Sequence, residues 1–109
     1  MITIKTNPIS VNALYRGKRF LTPQGKAIKL GYALDVRNQW KNKILTSPVS
    51  VKIDLFFSDK RRRDIDGPIK AILDALTGVV YKDDSQIVKL EVTKSLASKP
   101  YFTVSVSPT

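Results

Sequence analysis

Arg61-Arg62-Arg63-Asp64-Ile65-Asp66 sets three guanidinium groups directly before two carboxylates one residue apart, and Asp83-Asp84 adds a second acidic pair. The chain holds nine acidic residues against nineteen basic ones, and four of the nine acids fall in these two clusters. Scarce carboxylates gathered beside arginines suit two tasks in one place. Arginines bind a polyanion, and carboxylate oxygens hold a hard divalent cation, Mg²⁺ or Mn²⁺, that acts on it. The proposed ligands are Asp64, Asp66 and Asp84. Each pair of such anions about 4 Å apart costs on the order of 4 kcal/mol at an effective dielectric near 20, so the cluster needs a cation, arginine or lysine among it. A bound Mg²⁺ would polarise a phosphodiester oxygen and acidify its water, which supplies hydrolysis without a histidine base. Lys70, one helical turn past Asp66, would face the same cleft and contact the scissile phosphate, with Asp74 orienting it through an i,i+4 contact.

The same residues also fit a purely structural role. Asp64 and Asp66 before Gly67-Pro68 would stabilise a helix N-terminus. Asp83-Asp84-Ser85 is ordinary turn composition, and the arginine run would then be a solvated loop.

There is no cysteine and no histidine among the 109 residues. Disulfides, zinc fingers, thiol nucleophiles and imidazole bases are therefore excluded. The length suits one domain, 1–109, with a modest core. A formal charge of +10 favours nucleic acid or another acidic surface as partner. No apolar run approaches the roughly 18 residues that span a bilayer, and the N-terminus lacks a signal-peptide core, so an intracellular protein is expected.

The elements that must position these groups are read from periodicity. Residues 2–6 predict a short strand, and Pro8 to Phe20 a loop. Thr22-Pro23 predicts a helix start, after which Ile28, Tyr32, Val36, Trp40 and Ile44 recur every four residues, giving a helix of about six turns that ends before Ser47-Pro48. Val51 to Phe57 alternates as a strand with Val51, Ile53, Leu55 and Phe57 inward. Gly67 is expected to cap a second helix whose first residue is Pro68, with Ile69, Ile72, Leu73 and Leu76 as its apolar stripe and Gly78 as its stop. Asp64 and Asp66, in extended backbone, would project together while Ile65 points to the core. Strands over 86–94 and 101–107 are expected to form an antiparallel hairpin. The order β-α-β-α-β-β predicts a single compact α/β (α+β) domain with a small mixed sheet packed by two helices.

At its charged residues the sequence resembles the RusA family of Holliday-junction resolvases. The matching block is Arg61-Arg62-Arg63-Asp64-Ile65-Asp66, Lys70-Ala71, Asp74-Ala75-Leu76-Thr77 and Asp83-Asp84-Ser85-Gln86-Ile87-Val88, with a weaker match over Pro8 to Tyr15 and Thr22 to Gly25. The resemblance implies a compact α/β homodimer that makes paired, Mg²⁺-dependent nicks in four-way DNA, encoded by a bacterium or phage and cytoplasmic. It also implies Asp64, Asp66 and Asp84 as catalytic aspartates, Lys70 as the active-site lysine, and Arg63 as the arginine before the first aspartate. The family usually carries Asn after the second aspartate. Gly67-Pro68 here removes that amide and stiffens the helix entrance, and the connection to Asp83 is slightly shorter.

A four-way junction has approximate two-fold symmetry, so two cuts require two copies of one acidic cluster. Trp40, Phe56 and Tyr101 are candidate interface aromatics, with ordinary core as the alternative for each. Phosphate contacts are expected from Lys60, Arg61, Arg62, Arg63, Arg16, Lys18 and Arg19, with Lys26 and Lys29 further candidates and Tyr15 or Phe20 as wedges at the branch point. Two other functions share these features: a non-catalytic nucleic-acid-binding module, and a nuclease that prefers flaps or other branched DNA.

Overall fold

Val49, Val51, Ile53, Leu55 and Phe57 are all buried while the residues between them are partly or fully open, so one face of this strand is core and the other is not. A strand with one wholly apolar face must be covered by helices on that side. The computed structural model describes residues 2–4, 15–16, 20–21, 23–60, 65 and 67–109, with side chains at 27, 29–60, 65 and 67–109. Its elements are β1 (Ile2–Ile4), β2 (Tyr15–Arg16), β3 (Phe20–Leu21), α1 (Pro23–Gln39), β4 (Val49–Phe57), α2 (Ile69–Leu76), a 3₁₀ turn (Asp84–Gln86), β5 (Ile87–Leu96) and β6 (Tyr101–Pro108).

The main sheet runs β1-β6-β4-β5. β1 and β4 each pair antiparallel with β6, and β4 pairs parallel with β5. A parallel pair needs a crossover, which α2 supplies. Tyr32 and Val36 of α1 and Ile69, Ala71, Ile72, Ala75 and Leu76 of α2 close one core with the inward residues of β4 and β6. Tyr32 meets Phe102 edge-on, with ring centroids 5.1 Å apart. The result is the expected α/β domain, two helices on one face of a small mixed sheet. None of the described helices is long and apolar enough to cross a membrane.

Several expectations need correction. The last two strands do not form a hairpin, because β4 lies between them. Residues 97–100 bridge the end of β4, where the Ala97 N–H donates to the Phe57 carbonyl at 2.9 Å. Crossing two strand spacings takes about 9.6 Å, within reach of four residues. Helix α1 stops at Gln39 rather than running to Ser47. Beyond it, the Leu45 N–H donates to the Val80 carbonyl at 2.8 Å, and this tertiary partner holds the segment extended although the four-residue repeat continues to Ile44. Helix α2 begins at Ile69, with Pro68 one residue outside it. It ends before Gly78, as expected, and Gly78 takes φ +85°, a conformation that L side chains rarely adopt. The segment read as a loop before Phe20 contains the small β2–β3 ladder, Tyr15 opposite Leu21 and Arg16 opposite Phe20.

Candidate active site

Four of the described carboxylates, Asp54, Asp74, Asp83 and Glu91, can be followed to a partner. Asp54 accepts hydrogen bonds from Thr93 and Thr103 across the open face of the sheet. Glu91 lies 3.8 Å from Lys52 on that face. Asp74 on α2 receives Lys29 of α1 at 2.9 Å and Lys70 at 3.5 Å. The expected i,i+4 contact from Lys70 to Asp74 is therefore present. Lys29, proposed for a phosphate, instead ties α1 to α2.

The second acidic pair divides its labour. Asp83 precedes the 3₁₀ turn, where it caps reciprocally with Gln86. Ser85 Oγ donates to Asp83 Oδ2 at 2.7 Å and is the main reason its carboxyl sits below the usual carboxylate range. Asp84, the next residue, opens the turn with its side chain exposed.

Gln86 fixes that turn, a role the periodicity did not disclose. Its Oε1 accepts from the backbone N–H groups of Lys82 and Asp83, and its Nε2 donates to the carbonyls of Leu45 and Ser47, all between 2.8 and 3.0 Å. The signal was legible as the spacing Asp83-x-x-Gln86, a capping box.

Tyr81 lies in the chain between α2 and the 3₁₀ turn. Its ring is fully buried and its hydroxyl donates to the Leu73 carbonyl at 3.1 Å. Burial pushes the phenol up to about 12, opposed by the Thr77 hydrogen bond and reinforced by the charges of Asp84, Asp74 and Asp83. Asp74, which holds Lys70, and Asp84 are thus both within electrostatic reach of one side chain. The folded pKa is raised, so the stabilisation is complete below pH 10 and is lost as pH rises towards 12. Allowing for solvent screening, its worth is about 1–2 kcal/mol. Urea midpoints of the wild type should fall across that window, and those of Tyr81→Phe should stay level apart from other titrations.

Asp64, Asp66, Arg61, Arg62, Arg63, Lys18 and Arg19 lie outside the described residues, as does the side chain of Arg16. Lys60 is described and exposed. The one described residue between the two acids corrects the local argument: Ile65 sits in a turn and is 43% exposed, neither extended nor directed to the core. Among the described residues there is no group of three acids able to hold a metal. Two of the three proposed ligands are not among them. The donor set itself, carboxylate oxygens only, fits Mg²⁺ or Mn²⁺.

Of the interface aromatics, Trp40 packs partly buried against the core, and its Nε1 has no hydrogen-bond partner among the described residues. Phe56 and Tyr101 stack on each other at 4.4 Å on the open face of the sheet.

Comparison with known proteins adds the last finding. The sequence profile described as Endodeoxyribonuclease RusA matches residues 3–107. The crossover junction endodeoxyribonuclease RusA of Escherichia coli (strain K12) is 34% identical over 96 residues, covering 84% of this chain and 80% of that protein. The proteins of the same description from Shigella sonnei (strain Ss046) and Enterobacteria phage 82 are each 33% identical over the same extents.

Proposed function

Because this chain belongs to the RusA endodeoxyribonuclease family, we propose that it is a metal-dependent endodeoxyribonuclease that resolves Holliday junctions by paired nicks. The observation that carries this reading is the family match across nearly the whole chain. The exposed Asp84 and the Lys70–Asp74 pair supply compatible chemistry within it.

The residues divide the work as follows. Asp64, Asp66 and Asp84 would hold Mg²⁺ or Mn²⁺. When bound there, the ion would supply charge neutralisation at the phosphodiester and an acidified water. Gln86 keeps Asp84 at a fixed place by anchoring its turn to residues 45–47. Lys70, oriented by Asp74, presents an ammonium group to a phosphate oxygen and balances the charge that develops there. Lys60, Arg61, Arg62, Arg63, Arg16, Lys18 and Arg19 bind the DNA backbone, each phosphate contact adding nearly one unit to the log–log salt slope. A homodimer brings one such site to each of two opposed strands.

The test is cleavage of a synthetic four-way junction with Mg²⁺, beside linear duplex and flap controls. Symmetric nicks in the junction and none in the duplex are expected. Binding that ignores divalent metal, with no nicking, would replace the enzyme by a binding module. Faster cutting of flaps would reassign the substrate.

A further inference from the structure

Asp74 of α2 is shared by two lysines, and the sharing is unequal. Lys29 Nζ, from α1, donates to Asp74 Oδ2 at 2.9 Å, a full charge-assisted hydrogen bond. Lys70 Nζ stands 3.5 Å from the same oxygen, within ion-pair reach but longer than such a hydrogen bond. Exposure follows the same order: the side chains of Lys29, Asp74 and Lys70 are 24%, 33% and 58% exposed. The helix period explains why Lys29 takes the inner place. Buried Tyr32 and Val36 lie three and seven residues after it, so Lys29 borders the stripe of α1 that enters the core. Lys70 sits in the first turn of α2, one turn before Asp74.

The triad carries two positive charges and one negative. A carboxylate with a single lysine partner forms a neutral pair, and the ammonium is held back from any other anion. A second lysine on the same oxygen takes up part of that attraction and repels the first. Here the two ammonium nitrogens are at most 6.4 Å apart, the sum of the two contacts. Lys70 is then aimed by Asp74 without being neutralised by it.

We propose that Lys29 is a positioning residue for phosphodiester cleavage: it occupies Asp74, keeps Lys70 from closing on that carboxylate, and so leaves Lys70 directed at the scissile phosphate. This role rests on the nuclease reading given above and adds to it a residue from the other helix. A plain clamp between α1 and α2 is the alternative. A part-exposed ion pair contributes little to stability, so a clamp would shift the urea midpoint slightly and leave the cleavage step alone.

Single-turnover cleavage of a four-way junction with Mg²⁺, over a range of protein concentrations, separates rate from binding. Lys29→Met keeps the stem and removes the charge. Its saturated rate should fall about tenfold, with the half-saturating concentration within about twofold of wild type. Lys29→Arg should recover most of that rate, because a guanidinium also donates to a carboxylate. In a Lys70→Met or Asp74→Asn background, Lys29→Met should cost no further rate, since the lysine to be positioned or the carboxylate to be occupied is gone. A second readout follows Lys70 itself. Trace acetic anhydride, read by peptide mass spectrometry, should label Lys70 about threefold more slowly in Lys29→Met than in the wild type, because an ammonium closed on a carboxylate gives up its proton less readily.

A wild-type rate in Lys29→Met, or an equal further loss in the Lys70→Met background, overturns the positioning role. Weaker binding at an unchanged saturated rate overturns it too, and makes Lys29 a phosphate contact. Labelling of Lys70 that ignores Lys29 overturns it whatever the protein cuts. A wild type that nicks no DNA, with Lys70 labelling still governed by Lys29, overturns the nuclease reading and leaves the control of Lys70 by Lys29 standing.

Discussion

Asp84→Asn should cut a four-way junction about a thousandfold more slowly than the wild type, a barrier increase of roughly 4 kcal/mol. Asn keeps the size of the side chain and one oxygen but loses the charge that a divalent cation requires. Asp84 is exposed and starts a turn that other residues hold, so the variant should fold and bind junctions as before. Asp64→Asn and Asp66→Asn should behave alike. Asp83→Ala is the discriminating control. Its carboxylate is engaged by Ser85 within the turn, so cleavage should survive to within a few fold. Single-turnover cleavage and gel-shift binding on one junction measure both quantities. Equal loss in Asp83→Ala and Asp84→Asn would mean that the turn, not a metal-holding charge, is what matters.

Gln86→Ala should lower stability by about 3 kcal/mol, since four hydrogen bonds are lost at roughly 0.5–1.5 kcal/mol each. The effect on catalysis follows from geometry: Asp84 opens a turn that is no longer anchored to Leu45 and Ser47. The cleavage rate should fall at least about tenfold, consistent with a small displacement of a catalytic group. Gln86→Glu sharpens the argument. The carboxylate can still accept from Lys82 and Asp83, but it turns an oxygen toward two carbonyl oxygens in place of the donating amide. It should destabilise at pH 7 and recover partly in acid, where a protonated carboxyl can donate. Urea denaturation and cleavage at two pH values separate the cases. A Gln86→Glu protein as stable as the wild type at pH 7 would remove Gln86 as the anchor.

Local periodicity determined much of this protein. The alternation of Val51 to Phe57 predicted the central strand, the stripe through Ile72 and Leu76 with Gly78 behind it predicted the second helix, and the four-residue spacing of Lys70 and Asp74 predicted their contact. Such features depend on residues two to four positions apart, whose geometry the backbone fixes. The grouping of acids with arginines, together with the missing histidines and cysteines, pointed to carboxylate-held metal chemistry on a polyanion.

Tertiary structure decided the rest. Closeness in sequence favoured pairing β5 with β6, but both found β4, whose one apolar face and two hydrogen-bonding edges made it the centre. The repeat ran on to Ile44, but Val80 and Gln86 hold the chain at Leu45 and Ser47, and α1 ended early at Gln39. Ile65 looked inward by alternation, yet a turn exposes it. Asp83 and Asp84 are both exposed, and only the fold shows Ser85 and Gln86 engaging the first of them. In each case the deciding partner lay across the fold or was chosen by a turn, and a one-dimensional pattern carries the tendency of a segment but not the identity of the group that satisfies it.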